Sequence, residues 1–105
     1  MLYDEQSGHD SLFEGVEVDA VNNTVTVRLL SYPTHDAAKR IPIKIVFSKV
    51  VSVTMQADMI KLARNRFAGT VNHWRIAEAA GTSYFYFIEG YMAVVSKSAP
   101  TLVQE

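Results

Sequence analysis

The chain has 105 residues, of which 49% are hydrophobic and 20% are charged, and it contains no cysteine. This length supports one compact domain, and the apolar content is sufficient for a packed core and argues against disorder. The lack of cysteine excludes disulfides, thiolate catalysis and cysteine-based zinc sites, and it fits a reducing compartment. No apolar run approaches the roughly 20 residues of a membrane helix, and the acidic beginning does not resemble a secretory signal. We therefore expect a cytoplasmic, single-domain protein that spans residues 1–105.

Charge is distributed unevenly along the chain, although the formal net charge is only −1. Residues 1–27 contain six acidic side chains and no basic one, whereas residues 28–75 contain nine basic and two acidic side chains. The basic segment could form a surface for nucleic acid or another acidic partner, or it could lie beside the acidic segment within the fold. We favour the second explanation, because the first predicted hairpin pairs Glu17 with Arg28. The isoelectric point of about 6.3 also disfavours nucleic acid as a partner.

The first element is a predicted β-hairpin. Residues 11–20 alternate between apolar and acidic side chains, and a bulge at Glu14-Gly15 would bring Phe13 onto the apolar face. Asn22-Asn23 predicts a two-residue turn, since asparagine tolerates positive φ. That turn would set the inward pairs Ala20–Val25, Val18–Val27 and Val16–Leu29, and the outward pairs Asp19–Thr26 and Glu17–Arg28.

The middle of the chain predicts a loop, two further strands and one helix. Residues 31–40 form the loop, residues 41–47 alternate as a strand, and residues 50–55 continue as a β segment. Residues 57–68 have the apolar spacing of a helix, with acidic and basic residues ordered to suit its dipole and a glycine to end it. The expected core-facing residues of this helix are Met59, Ile60, Leu62, Ala63 and Phe67.

The last part of the chain predicts a β meander. Residues 70–80 fit either a helix or a strand, and we favour the strand because residues 83–88 and 91–97 are β-prone. Turns at Ala80-Gly81 and Glu89-Gly90 would set the register of three strands. One face would then hold Trp74, Ile76, Phe85, Phe87, Met92 and Val94 in the core. The opposite face would hold Arg75, Ala77, Tyr84, Tyr86, Ala93 and Val95.

These elements predict an α+β fold. It would be mainly an antiparallel β meander of about six to seven strands, with one helix near residues 57–68. The strands could form either a sandwich or a half-open barrel, and the sequence leaves both open.

The layout resembles a group of small bacterial β-rich proteins classed as immunity protein 50-like. The likeness rests on four short motifs, and it would cover most of the chain. They are His9-Asp10-Ser11 before the first strand, the hairpin from Val16 to Leu29, the step from Phe47 to Val50, and Ile88-Glu89-Gly90-Tyr91. The long helical stretch and the proline-containing loop depart from that pattern. The resemblance implies an antidote to a secreted bacterial toxin, and it assigns no functional residues.

Candidate catalytic and metal-binding residues are few. His9-Asp10 and His35-Asp36 pair a possible base or metal ligand with a carboxylate, but adjacent strand residues point to opposite faces and chelate poorly. We favour hydrogen bonding in turns as the explanation of both pairs, and the sequence leaves a composite site of the two pairs open. No phosphate-binding loop, dinucleotide fingerprint, nucleophile elbow or zinc-protease motif is present in the sequence. We expect no catalytic residues, no metal and no cofactor, and the sequence favours a non-catalytic protein.

The most promising candidate site is the outward face of the last strands. In the predicted register Arg75 lies opposite Tyr86, within reach of a cation–π contact, and His73 and Tyr84 share the face. These four residues could bind a protein partner, or ordinary cross-strand packing could account for them. We expect a protein-binding module with this face as its site, and the apolar content also predicts a homodimer. The alternative is a small-molecule-binding domain or small enzyme with a concave pocket on the same face.

Overall fold

The structure is a computed structural model that describes residues 8–34, 36–66 and 68–105. Within these ranges the chain forms eight strands and one helix. In order they are β1 (Leu12–Asp19), β2 (Thr24–Ser31), β3 (Ile41–Phe47), β4 (Val50–Ala57), α1 (Met59–Arg64), β5 (Val71–Arg75), β6 (Gly81–Phe87), β7 (Gly90–Ser96) and β8 (Thr101–Gln104). The α+β class with mainly antiparallel strands is confirmed.

The strands form two four-stranded antiparallel sheets. The first sheet has the order β1-β2-β3-β8, and the second has the order β4-β7-β6-β5. The inner faces share one core, so the arrangement is a sandwich, and the half-open barrel is wrong. The core consists of Val25, Val27, Leu29, Ile43, Ile45 and Phe47 from the first sheet, Val71, Trp74, Phe85, Phe87, Met92 and Val94 from the second, and Leu62 and Ile76.

The first hairpin has the predicted inward face on β2, where Val25, Val27 and Leu29 are buried, but it does not have the predicted register. On β1 the prediction is wrong for Val18, which is 54% exposed instead of facing the core. Val18 lies opposite Val25 and Val16 opposite Val27, which is two residues away from the expected pairing. The reason is Asp19, whose carboxylate accepts hydrogen bonds from the backbone N–H groups of Val21 and Asn22 at 3.0 Å. These bonds favour a longer turn than the expected two-residue one. The bulge between Phe13 and Gly15 is confirmed.

The turn hydrogen bonds make the hairpin sensitive to acid. Hydrogen bonds from the side chain and backbone of Asn22 lower the pKa of Asp19 below 3.8, its usual value. A lowered native pKa stabilises the fold above the unfolded-state pKa, and this contribution is lost as the pH falls through the native value. An asparagine at this position cannot be protonated in this pH range, so we expect the Asp19→Asn protein to lose less free energy of unfolding than wild type when the pH falls below about 4. Urea unfolding of both proteins at pH 6 and pH 2.5 would measure it, and an identical pH dependence would contradict the prediction.

The second sheet has the predicted faces, but its register is also shifted. Phe85 pairs with Met92 and Tyr84 with Ala93, again two residues from the expected pairing. The β6–β7 turn consists of Ile88 and Glu89, and Glu89 adopts a positive φ of 50°. Residues 71–75 form a strand as favoured, but residues 76–80 form a loop before β6. All six residues predicted for the inner face are buried.

The helix is shorter than the sequence predicts. It runs over Met59–Arg64, not residues 57–68, and the Asp58 carboxylate caps it by accepting a hydrogen bond from the Lys61 N–H at 3.0 Å. Only Leu62 is buried in the core, while Met59 and Ile60 are 68% and 64% exposed. So short a helix buries one position, so the predicted core position is confirmed for Leu62 and wrong for Met59, Ile60 and Ala63, which are exposed. The predicted core residue Phe67 lies outside the described residues.

The strand β8 is not among the elements that the sequence predicts, and it begins directly after Pro100. Proline has no N–H to donate, but it may precede a strand without loss of a ladder hydrogen bond. The four residues of β8 pair with β3, from Ile43 opposite Gln104 to Val46 opposite Thr101. With β8 included, the described residues form eight strands, more than the expected six to seven. No helix of the described ranges is long and apolar enough to cross a membrane.

Candidate functional site on the outer face of the second sheet

The structure brings all four predicted site residues together on adjacent strands. His73 and Arg75 lie on β5, and Tyr84 and Tyr86 lie on β6. They share the outer face because their neighbours in sequence, Trp74 and Phe85 among them, point into the core. Alternation along a strand therefore places these four side chains on the outside.

The pairing within this group differs from the prediction. His73 lies opposite Tyr86, and Arg75 lies opposite Tyr84 instead of Tyr86. A bulge between Val71 and His73 and the loop of residues 76–80 set this register. The expected cation–π contact between Arg75 and Tyr86 is therefore wrong. Among the described residues a cation–π contact joins Arg40 to the Tyr32 ring at 4.8 Å, on the β2–β3 loop.

The aromatic rings of this face stack on one another. The His73 and Tyr86 rings have centroids 4.5 Å apart and planes inclined by 24°. The Tyr84 and Tyr86 rings have centroids 5.7 Å apart and planes inclined by 14°. Such contacts contribute about 0.5–1.5 kcal/mol each beyond the area that they bury. The stack holds the three side chains in defined positions before any partner arrives.

Sequence reasoning missed a fifth member of the group. Tyr91 lies directly opposite Tyr86 on β7, and it is 37% exposed. It therefore extends the row formed by His73 and Tyr86 toward β4. The expected turn at Glu89-Gly90 puts Tyr91 opposite Ile88 instead of Tyr86, so its place in this row could not be seen. We call the outer-face residues His73, Arg75, Tyr84, Tyr86 and Tyr91 the aromatic face.

The polar groups of the aromatic face are unengaged within the described chain. No hydrogen bond joins the hydroxyl groups of Tyr84, Tyr86 or Tyr91 to another described residue, and no ion pair engages Arg75 there. The Arg75 guanidinium lies on β5, at one edge of the sheet. The face thus has a cationic edge and hydroxyl donors around aromatic surface, and it suits a partner with carboxylates and carbonyl groups.

The His-Asp pairs do not assemble into a site within the described residues. The His9 Nε2 atom lies 3.3 Å from the Asp10 carboxylate, and its Nδ1 atom lies 2.9 Å from the Asn72 carbonyl oxygen. Asp36 accepts a hydrogen bond from the Thr34 hydroxyl at 2.7 Å, as expected for a turn. His35 lies outside the described residues. No group of three or more potential metal ligands occurs among the residues described.

Three surface depressions lie away from the aromatic face. One lies beside the β3–β4 turn and includes Lys49 and Lys97, a second lies between the β1–β2 turn and β4, and a third lies where β4 meets α1. None of the five residues of the aromatic face lines any of the three.

Comparison with known proteins leaves the chain without an assigned family. No protein-family model matches it, and neither the curated proteins nor the solved structures contain a match.

Proposed function

We propose that this protein is a non-catalytic module that binds another protein through the aromatic face. The observation that carries the proposal is the stacked group of His73, Tyr84 and Tyr86 on the outer face of the second sheet. Tyrosine and arginine are enriched at the centres of protein interfaces, because they combine large contact area with polar tips. Tyrosine also has few rotatable bonds, so ordering it on binding costs little conformational entropy.

The ring geometry favours a protein partner over a nucleic acid. A base-stacking surface presents ring faces to its ligand. Here the rings turn their faces toward one another, at interplanar angles of 14° and 24°. The remaining ring edges and hydroxyl groups suit backbone and side-chain groups of a protein better than flat bases. A small-molecule site would use a concave pocket, and none of the five residues of the aromatic face lines the three depressions described above.

We extend the proposal to the class of partner on the basis of the sequence resemblance. The immunity protein 50-like group implies a bacterial protein that neutralises a toxin by binding it. Such a role requires a rigid binding surface and no chemistry of its own. A toxin with carboxylates positioned against Arg75 would complement the cationic edge at β5, and this charge pairing would speed association.

The proposal predicts that the aromatic face controls capture of the partner. We expect wild-type protein, immobilised on a support and incubated with a lysate of its source cell, to enrich a specific protein. Tyr86→Ala should weaken binding of that purified protein about 30-fold or more, as loss of a central interface tyrosine does. Capture with mass spectrometry, followed by calorimetric titration, would measure both.

The control is Val21→Ala, because Val21 is 90% exposed in the β1–β2 turn and far from β5 and β6 in the fold. It should bind like wild type, and circular dichroism should show that both variants are folded. Equal affinity of Tyr86→Ala and wild type would remove the aromatic face from the proposal. Failure to enrich any protein, together with a small molecule that raises the melting temperature, would replace it with the small-molecule alternative.

A further inference from the structure

Each sheet has two edge strands, and three of the four edges are protected in ways that natural proteins use. Charges, bulges and shortness all discourage a further strand from pairing. β1 carries Glu14, Glu17 and Asp19 together with a bulge. β5 has five residues and a bulge, and β8 has four residues.

The fourth edge, β4, has less protection. Its eight residues, Val50–Ala57, include no charged residue and no proline. A bulge near Val51 interrupts its start, but Ser52 to Ala57 pair regularly with β7. Within the described part of the chain no strand pairs with the other side of β4. Alternate backbone N–H and C=O groups therefore point outward along a neutral strand of high β propensity.

Exposed apolar side chains also concentrate along this edge. Val51 is 60% exposed at its beginning, and Met55 is 38% exposed farther along. Met59 and Ile60 follow directly after its end, with exposures of 68% and 64%. Apolar side chains are therefore exposed to solvent at both ends of β4, the strand whose outer backbone edge is unpaired within the described residues.

We propose that two copies of this chain associate through β4, paired antiparallel about a two-fold axis, into one continuous eight-stranded sheet. The neutral strand opposes no like charges in this pairing. The antiparallel direction also brings the Val51 end of each copy toward the Met59 and Ile60 end of the other. The same apolar contact then forms twice, as a two-fold interface requires. It adds buried area to the backbone hydrogen bonds of the new strand pair.

The dimer would double the aromatic face. A two-fold axis perpendicular to the sheet keeps the outer faces of both copies on the same side. Two sets of Tyr84, Tyr86 and Tyr91 would then face one direction and engage a repeated or dimeric partner with increased avidity. This consequence rests on the proposed function, whereas the β4 dimer itself does not.

The mass of the purified full chain in solution tests the dimer. Light scattering should give twice 11.7 kDa at high micromolar concentration. Thr54→Lys should raise the dimer dissociation constant about tenfold or more, because Thr54 is exposed mid-strand and two lysines would meet near the axis. Thr101→Lys is the matched control, since Thr101 is also an exposed threonine on an edge strand, β8, and it should leave the mass unchanged.

Hydrogen exchange provides a second measurement that does not depend on a variant. The outward-pointing amides of Ser52–Ala57 should exchange about tenfold more slowly in the dimer than at concentrations where it dissociates. A monomer at all concentrations, or equal dissociation by Thr54→Lys and Thr101→Lys, would overturn the proposal. Protection of these amides only on addition of the captured protein would assign the edge to that partner and overturn self-pairing. None of these results depends on Tyr86.

Discussion

Replacing Phe85 with alanine is expected to lower the free energy of unfolding by about 3–5 kcal/mol. The Phe85 side chain is fully buried. Its ring meets Phe47 of the first sheet and Trp74 of the second edge-on, each at 6.2 Å between centroids. Alanine would leave a cavity between the two sheets that neither can fill without moving. Stabilities of about 5–15 kcal/mol are typical of such domains, so the loss would be a large share of the total.

Urea unfolding of Phe85→Ala and of Tyr84→Ala provides the comparison. Tyr84 is the preceding residue and lies on the outer face, where it is only half-buried. We expect its removal to cost about 1 kcal/mol, mainly from the lost contact with Tyr86. The two substitutions each remove one aromatic ring from β6, and they differ chiefly in the face of the sheet that loses the ring. Equal losses would contradict the assignment of Phe85 to the core and Tyr84 to the surface.

The second large effect is expected for Gly69→Ala. Gly69 adopts a φ of +113°, which alanine strongly disfavours. A methyl group there would also lie 2.7 Å from the Cα atom and 2.8 Å from the carbonyl oxygen of Asp10. These are backbone atoms held by the hydrogen bond from the Asp10 N–H to the Val71 carbonyl at 3.0 Å, so they cannot rotate away. Strain and overpacking together should cost about 2–5 kcal/mol.

The matched control for this substitution is Gly15→Ala. Gly15 lies at the β1 bulge, and a methyl group there would meet no atom within 4 Å. Its alanine variant should be neutral or more stable by about 0.4–1 kcal/mol, since alanine restricts the unfolded chain. Thermal unfolding of both variants would distinguish them. A Gly69→Ala protein as stable as wild type would show that the Gly69 and Asp10 backbones can separate.

The faces of the strands could be predicted from the sequence because alternation survives a shift of two residues. Trp74 and Phe85 are buried, and Tyr84 is half-buried, whichever register is used. The register itself depends on the length and backbone conformation of the turns, which the alternation of apolar and polar residues does not indicate. Glu89 adopts a positive φ, and the turn consists of Ile88 and Glu89 instead of the expected Glu89-Gly90. The Asp19 carboxylate bonds the turn after β1 and lengthens it beyond the asparagine pair.

The sequence predicted which four residues form the candidate site, but not which of them contact each other, because the contacts depend on the strand register. His73, Arg75, Tyr84 and Tyr86 share a face by alternation alone, whereas their partners follow from register. The short helix shows a different limit. Met59 and Ile60 have the spacing of a core stripe, but the helix ends at Arg64 before it can bury them. A periodic pattern indicates which residues could share a face, and the length of the element decides whether that face meets the core.

The pairing of β3 with β8 has a consequence for the order in which the chain can fold during synthesis. β3 lies inside the first sheet, but its partner β8 is made more than fifty residues later. Until residues 101–104 leave the ribosome, β3 is an open edge of a growing sheet. Pro42 and Lys44 lie in β3, and both residue types hinder unwanted pairing of an edge strand. The nascent chain thus carries its own safeguard against aggregation, and this safeguard becomes redundant once β8 arrives.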